Sequence, residues 1–429
     1  MEKYRRVLER NLEWFLNSGV MRPADGFWGV AERVVILRDN EAARRINNVF
    51  PSQTALADGA TVLEHRRVDC CVQTAFLFDA AALALDRPEL RETAKNLIEY
   101  LVRRSCLRHT DSSSGKCGLW GWAAPLYKEP VWTDDNSWLI VVFSILSRNG
   151  HPELAEPAIA AARTLHRHAA AYMHFLNENG RDALCPLDAR TETDAAEKII
   201  GLRLNPHWMG LVCMAFAHVS ELDPVTPYYD VVETYFKTAL YGPPKHDERS
   251  GRNISAGLSW TLSEYAYLIL SGSVAAKRFG CGPAMKAART AAEILIRSQK
   301  PDGHFPAEHY EAPVASHCAD LIYTQNWATI GLQHAAGIFD DELGRECRLA
   351  SERSLAFLAE IQDKSPSLAF NGCWRGMYDT ERGIWGGGDC HEGGANSVYT
   401  GWTNAPNGNI SPVTITIPAT GDMFYRLKQ

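Results

Sequence analysis

The sequence predicts an all-α fold: a ring of six helical hairpins, an (α/α)6 toroid, with little or no β structure. Three observations predict it. Amphipathic and wholly apolar helical patterns alternate along the chain. Each apolar pattern follows a polar segment rich in Gly, Pro, Trp, His and carboxylates. The alternation recurs about every 50–75 residues, the scale of one helical hairpin with its loops.

The amphipathic helices come first. Tyr4, Val7, Leu8, Leu12 and Phe15 fall on one face. So do Leu90, Ala94, Leu97, Ile98 and Leu101, and so do Met285, Ala288, Ala292 and Leu295. Charged residues occupy the opposite faces, so these helices are wet on one side.

The second kind spans 72–85, 138–146, 209–219, 262–270 and 330–339, nearly all apolar. A helix without a polar face is buried on every side. Six polar segments lead into such helices: 51–69, 115–136, 201–208, 250–261, 301–326 and 371–402. One inner ring, sheathed by the wet helices, buries all the apolar helices at once. Residues 1–429 then form a single toroid domain, and all six polar segments gather at one mouth. A further alternation, Val413-Thr414-Ile415-Thr416-Ile417, predicts a short strand in the tail.

Composition narrows the function classes. A net charge of -7 without a basic block argues against nucleic acid as a partner. No apolar run reaches the roughly 18 residues that span a bilayer. The charged start Met1-Glu2-Lys3-Tyr4-Arg5-Arg6 predicts a cytoplasmic protein, unless a signal peptide has been removed. The eleven cysteines form no CxxC pair and read as reduced, mostly buried residues. A homo-oligomer is compatible with this composition.

The mouth has the chemistry of a carbohydrate site. Ten of the twelve tryptophans lie in or beside the six segments, among them Trp132, Trp208, Trp260, Trp385 and Trp402. Sugar rings present apolar C–H faces that stack on indole. The sharpest motif is Trp132-Thr133-Asp134-Asp135-Asn136-Ser137-Trp138, directly ahead of an apolar helix. One Asp suffices to cap a helix. The other is free to project into the mouth, where burial and a like-charged neighbour raise its pKa, as a general acid requires.

VWTDDNSWLI resembles the W-x-D-[DGT] element of unsaturated glucuronyl and rhamnogalacturonyl hydrolases, and the paired-Asp element of toroid mannanases. Residues 298–305 resemble a Q-x-x-D-G-x-[FW] turn shared by helical toroids. The chain thus resembles the six-hairpin glycosidase superfamily, its glucuronidase-type members first. The resemblance implies Asp135 or Asp134 as acid/base.

The fifth segment carries His304, Glu308, His309, Tyr310, Glu311, His317, Asp320 and Tyr323. Their spacing matches no specific metal pattern, so no metal and no cofactor is expected. Glu308 or Glu311 is the expected partner carboxylate. The sixth segment adds Arg375, Trp385, His391, Glu392 and Trp402 among dense glycines. Arg375 is a candidate clamp for a substrate carboxylate, with Arg66, Arg67 and Arg203 as further candidates. His65, Asn205, His207, Trp208 and Asn253 complete the expected rim.

Together these features predict hydrolysis of a terminal sugar, a uronic acid by resemblance, with a carbohydrate as the partner. The alternatives are a polysaccharide lyase using Tyr310 or Tyr323 with His309 or His317, a sugar 2-epimerase, and a non-catalytic glycan-binding toroid. Terpene chemistry is disfavoured because no DxDD or DDxxD element is present.

Overall fold

Helices dominate the chain. A computed structural model describes residues 1–36, 51–179, 204–237, 245–247, 252–254, 261–309, 312–386, 396–411 and 413–414. Six helices are outer: α1 (Glu2–Asn17), α3 (Leu90–Glu99, prolonged by a π turn over Tyr100–Arg104), α5 (Ala155–Asn179), α7 (Tyr228–Lys237), α9 (Gly282–Ser298) and α11 (Glu342–Ile361). Six are inner: α2 (Val68–Ala84), α4 (Thr133–Arg148), α6 (Leu211–Val219), α8 (Leu262–Phe279), α10 (Gln325–Ala336) and α12 (Ala405–Asn409). Inner helices α6 and α12 are entered through π turns at Pro206–Gly210 and Thr400–Asn404.

Sequence pattern decides which ring a helix joins. In α9, Ala284, Ala287, Ala288, Ala291 and Leu295 are buried, one stripe at helical spacing. In α2 nearly every residue is buried, from Val68 through Ala82. Inner neighbours pack in the order α2, α4, α6, α8, α10, and α12 packs back on α2. The seam between α10 and α12 is tied by Asn326, whose Nδ2 donates to the Trp402 carbonyl at 2.6 Å. Each inner helix packs on the outer helix that follows it. The sixth hairpin instead joins the chain's two ends: α1 packs on α12, and Asn11 Nδ2 donates to Asn404 Oδ1 at 3.2 Å. Where the entry turn of α12 meets α2, Gly401 permits the close approach: a Cβ there would overlap the Cys70 backbone.

Two expectations change. The inner helices start earlier than their apolar runs. Asp69, Asp134, Asp135 and Asn326 are therefore first-turn helical residues rather than loop residues. The β content is also organised rather than negligible. Short strands form four small sheets among the described residues, all in segments that enter inner helices. Strands β1 (Arg33–Ile36), β2 (Gln53–Ala55), β3 (Ala60–Leu63) and β12 (Val398–Tyr399) make one sheet, ordered β12-β1-β3-β2. Strands β4 (Arg66–Arg67) and β5 (Ala123–Ala124) pair, as do β6 (Lys245–Asp247) and β7 (Arg252–Ile254). The fourth sheet runs β11 (Ile384–Trp385), β10 (Met377–Asp379), β9 (Ala312–Asp320), β8 (Pro306–His309). In the predicted tail strand, Val413 and Thr414 form a turn, and the rest lies outside the described residues.

Candidate active site

The paired aspartates occupy the first turn of α4. The residue before that helix, Trp132, is extended, and no side chain caps the helix. Neither Asp is therefore used as a cap, and both side chains turn into the mouth. Asp135 is fully buried, and its Oδ1 accepts from Arg67 Nη2 at 2.6 Å. Asp134 Oδ2 lies 3.5 Å from His207 Nε2. Asp134 Oδ1 and Asp135 Oδ2 are buried and accept no hydrogen bond among the described residues. An unpaired buried carboxylate oxygen is unfavourable unless it is protonated or meets a ligand.

Arg67 is the hub. It ends β4 and immediately precedes α2, so the strand-to-helix corner aims its guanidinium across the mouth. It meets three carboxylates: Asp135, Glu32 at 3.0 Å, and Asp69 at 3.1 Å. Glu32 is fixed through its backbone, donating to the His65 carbonyl at 2.7 Å and accepting from the Thr400 amide at 3.0 Å. Its neighbour Arg33 bonds the Glu32 carboxylate at 2.8 Å and lies 4.1 Å over the Tyr399 ring.

This acidic excess sorts the carboxylates. Burial opposes ionisation of Glu32, but Arg33 and Arg67 overcome it and hold its carboxyl below the usual range. Burial, the Asp134 charge and the Glu32 charge push Asp69 up to about 6 against the pull of Arg67. Burial pushes Asp135 well above the carboxylate range, with Asp69 and Asp134 adding to it and Arg67 opposing. Arg67 is itself held well above its ordinary value, because Asp135, Asp69 and Glu32 outweigh its desolvation. The site thus presents a carboxyl pushed toward its protonated form beside one that ionises at a pH of about 6, the division of roles that acid–base catalysis needs.

Aromatic rings wall this centre. His207 stacks on Tyr267 with centroids 4.4 Å apart and planes 6° from parallel. It also meets Trp208 at 5.2 Å, Trp402 at 5.3 Å and Tyr323 at 6.0 Å. Trp132 extends the wall to Trp208 at 5.6 Å and Trp122 at 6.2 Å. The Nε1 donors of Trp132 and Trp402 are buried without a partner among the described residues. Beneath lie Trp138 and Trp327, stacked at 5.0 Å. The backbone of His207 is anchored by buried Glu264, which accepts its N–H at 2.8 Å and Asn205 Nδ2 at 2.6 Å.

The remaining predicted residues divide into three groups. Some flank the centre. His65 is buried, stacks on Tyr127 at 5.4 Å, and has its pKa lowered mainly by desolvation. Glu308 reaches the start of α8, accepting from the Leu262 amide at 3.4 Å. Asp320 is buried and pushed up to about 6 by burial, while its oxygens accept from the Ile322 and Tyr323 amides and the Thr324 hydroxyl. It shapes the turn that delivers Tyr323 to the wall.

Others are engaged elsewhere. Arg66 bonds Glu64 and the Trp28 carbonyl, and Arg375 bonds Asp363 at 2.6 Å. Neither guanidinium joins the Arg67 centre. Trp385 packs on Tyr378 in the β8–β11 sheet, and His304 bonds Asp302 within its own turn. Arg203, Trp260, Tyr310, Glu311, His391 and Glu392 lie outside the described residues, as do the side chains of Asn253 and His309.

Sequence reading missed Glu32, Asp69 and Glu264. Each carries one signal that could have found it: a carboxylate at the edge of an apolar run, in VAERVVIL, VDCCVQTAFLF and LSEYAYLIL. A buried carboxylate needs a cation or donors, and is seldom placed there without a role.

No protein-family model and no curated protein matches the sequence. Solved structures match in fold. The chain is similar to an unsaturated glucuronyl hydrolase from Bacillus sp. GL1, at 14% identity over 99% of this chain and 100% of that one, with a TM-score of 0.61. It is similar to a cellobiose 2-epimerase from Spirochaeta thermophila, at 13% identity over 96% of each chain and a TM-score of 0.59. It is likewise similar to a D-mannose isomerase, at 12% identity over 96% of this chain and 97% of that one, with a TM-score of 0.59. The likeness reaches nearly the whole chain in each case, and it establishes the fold: an (α/α)6 toroid.

Proposed function

We propose that the protein is a carbohydrate-active enzyme, a glycoside hydrolase that releases a terminal sugar by carboxylate acid–base catalysis. The observation that carries this reading is the Asp135–Arg67–Asp69 arrangement. Asp135, whose burial favours the protonated form, gives its proton to the leaving glycosidic oxygen. Asp69, ionised above a pH of about 6, takes a proton from the attacking water. Arg67 holds both groups in register. The indole faces of Trp132, Trp208 and Trp402 suit a sugar ring, and the unpartnered Nε1 donors of Trp132 and Trp402 suit its hydroxyls.

A uronic acid is the first terminal sugar to test. The N-termini of α2 and α4 lie beside this centre, and a helix N-terminus favours an anionic substituent. Arg66 and Arg375 contribute nothing to that preference, since their own carboxylates hold them. A second reading rests on His207 beside Asp134: a histidine so placed can take a proton next to a carbonyl, as a sugar 2-epimerase or a lyase requires.

A panel of aryl glycosides and disaccharides, beginning with the β-glucuronide and followed by NMR in D2O, separates these readings. Hydrolysis liberates aglycone and a reducing sugar. Epimerisation exchanges deuterium at C2 without cleavage, and a lyase creates a new C=C absorbance. Full activity in Asp135→Asn on the true substrate overturns the acid–base assignment.

A further inference from the structure

The β8–β11 sheet carries a second cluster of reactive side chains, separate from the Arg67 centre. Cys318 on β9 and Asp379 on β10 are direct cross-strand partners. The adjoining pair, His317 and Thr380, carries the ladder bond, with the Thr380 amide and hydroxyl donating to the His317 carbonyl at 2.9 and 2.8 Å. Cys318 and Asp379 thus form the non-hydrogen-bonded pair, whose side chains stand closest on a common face.

Strict strand alternation would send His317 to the opposite face. The β8–β9 register breaks here: Pro306 pairs with Ala319, but Ala307 pairs with Ala315. Residues 316–318 therefore bulge out of the ladder, and such a bulge re-aims side chains. A ring nitrogen of His317, the Cys318 thiol and a carboxylate oxygen of Asp379 all lie within 4.8 Å of one another. Cys318 and Asp379 are buried and His317 is half-buried, so the cluster is reachable from one side. Asp379 Oδ1 is occupied by the Glu381 and Arg382 amides. Among the described residues Oδ2 has Arg382 as its cationic neighbour, at 3.8 Å, and that side chain is 72% exposed.

We propose that His317, Cys318 and Asp379 form a binding site for a divalent cation of the zinc class, pinning β9 to β10. One imidazole, one thiolate and one carboxylate are the mixed donors that borderline ions prefer, and three protein ligands leave the fourth position to water. Tetrahedral bonds of about 2.0–2.3 Å place ligand atoms roughly 3.3–3.8 Å apart, so the cluster contracts by about 1 Å on binding. The Cys318 proton leaves to solvent as the metal–sulfur bond forms. The site lies two residues before Asp320, whose turn sets Tyr323 beside His207, so the ion would brace one wall of the mouth. It does not depend on the reaction proposed above.

Full-length protein stripped with chelator and titrated anaerobically with Co2+ tests this directly. The expected result is one equivalent per chain, with a thiolate-to-cobalt charge-transfer band and the intense visible bands of four-coordinate cobalt, both displaced by Zn2+. Cys318→Ser should lose the thiolate band. His317→Gln, a change at a half-buried position, should weaken Co2+ at least about tenfold and abolish any rise in Tm on adding Zn2+. The proposal fails if no thiolate band forms at one equivalent, or if the band survives His317→Gln at unchanged affinity. The latter result would place the ion on another cysteine, and it decides the matter even if Cys318→Ser does not fold.

Discussion

Two arginines, Arg67 buried and Arg375 half-buried, meet opposite electrostatic surroundings. Arg375 faces one carboxylate, Asp363, with Nε and Nη2 at 2.7 and 2.6 Å, and its third nitrogen donates to Asn396 at 3.1 Å. The Phe370 ring lies 4.0 Å beneath the guanidinium. Cation and anion are balanced and their hydrogen bonds are made. Arg67 faces three carboxylates, with Asp134 close behind them. One positive charge cannot keep all of them as acidic as ordinary carboxyls in a desolvated space, so Asp69 and Asp135 hold their protons to higher pH. Ion pairing alone therefore does not mark a functional site. The imbalance does, because it leaves a proton ready to move.

The largest expected effect breaks the comparison at its centre. Asp135→Asn should lower kcat by roughly 10²–10⁴-fold, the usual worth of a positioned acid or base, with the circular dichroism spectrum unchanged. Asp363→Asn should do the reverse. It leaves kcat near wild type and lowers the urea-unfolding free energy by about 1.5–3 kcal/mol, as expected when a part-buried hydrogen bond between charged groups is lost. Were the two variants to exchange phenotypes, Arg375 would be the functional arginine.

Removing the hub is next. Arg67→Met leaves Glu32, Asp69 and Asp135 without their shared cation and should destabilise by about 3–5 kcal/mol at neutral pH. The loss should shrink in acid as Asp69 protonates near pH 6, and urea titrations at pH 7 and pH 5 would measure it.

Asp69 sharpens the contrast through pH. Its folded pKa of about 6 lies above the ordinary Asp value of about 3.9, so the folded state binds the extra proton. Its contribution is favourable in acid and is lost as pH rises from about 4 through about 6, by as much as about 3 kcal/mol. Asp69→Asn should flatten that part of the stability–pH curve and remove the kcat/KM limb near pH 6. A limb unchanged in the variant would assign that titration to another group. The smallest effect belongs to Glu64→Gln at the rim. Its bond to Arg66 is only partly buried, so the change should cost less than about 1 kcal/mol and leave kcat/KM unaltered in the same assays.

Much of the architecture was legible because it depends on local pattern. An Ala stripe at helical spacing in α9 and an unbroken apolar run in α2 dictate outer and inner placement without knowledge of any contact. The aspartates of α4 were legible as well, because two carboxylates ahead of a buried helix exceed what a cap requires. Their partners were not. Glu32 and Asp69 lie 103 and 66 positions before Asp135 in the numbering, and nothing local pairs them with it. Arg375 and Arg67 each look like a substrate clamp on paper. Only Asp363 beside one and three carboxylates around the other tell them apart.

By itself, then, the sequence determined the repeat: five apolar helical runs with no polar face, wet helices between them, and six polar segments that must share one end. Hydrophobic periodicity acts over a single turn of helix, so it survives without tertiary context. Tertiary structure decided the chemistry of the ring of six hairpins. Desolvation and charge coupling depend on distances between residues far apart in the chain. The same Asp is an ordinary surface acid or a held proton according to whether β1, β4 and α2 bring Glu32, Arg67 and Asp69 against it.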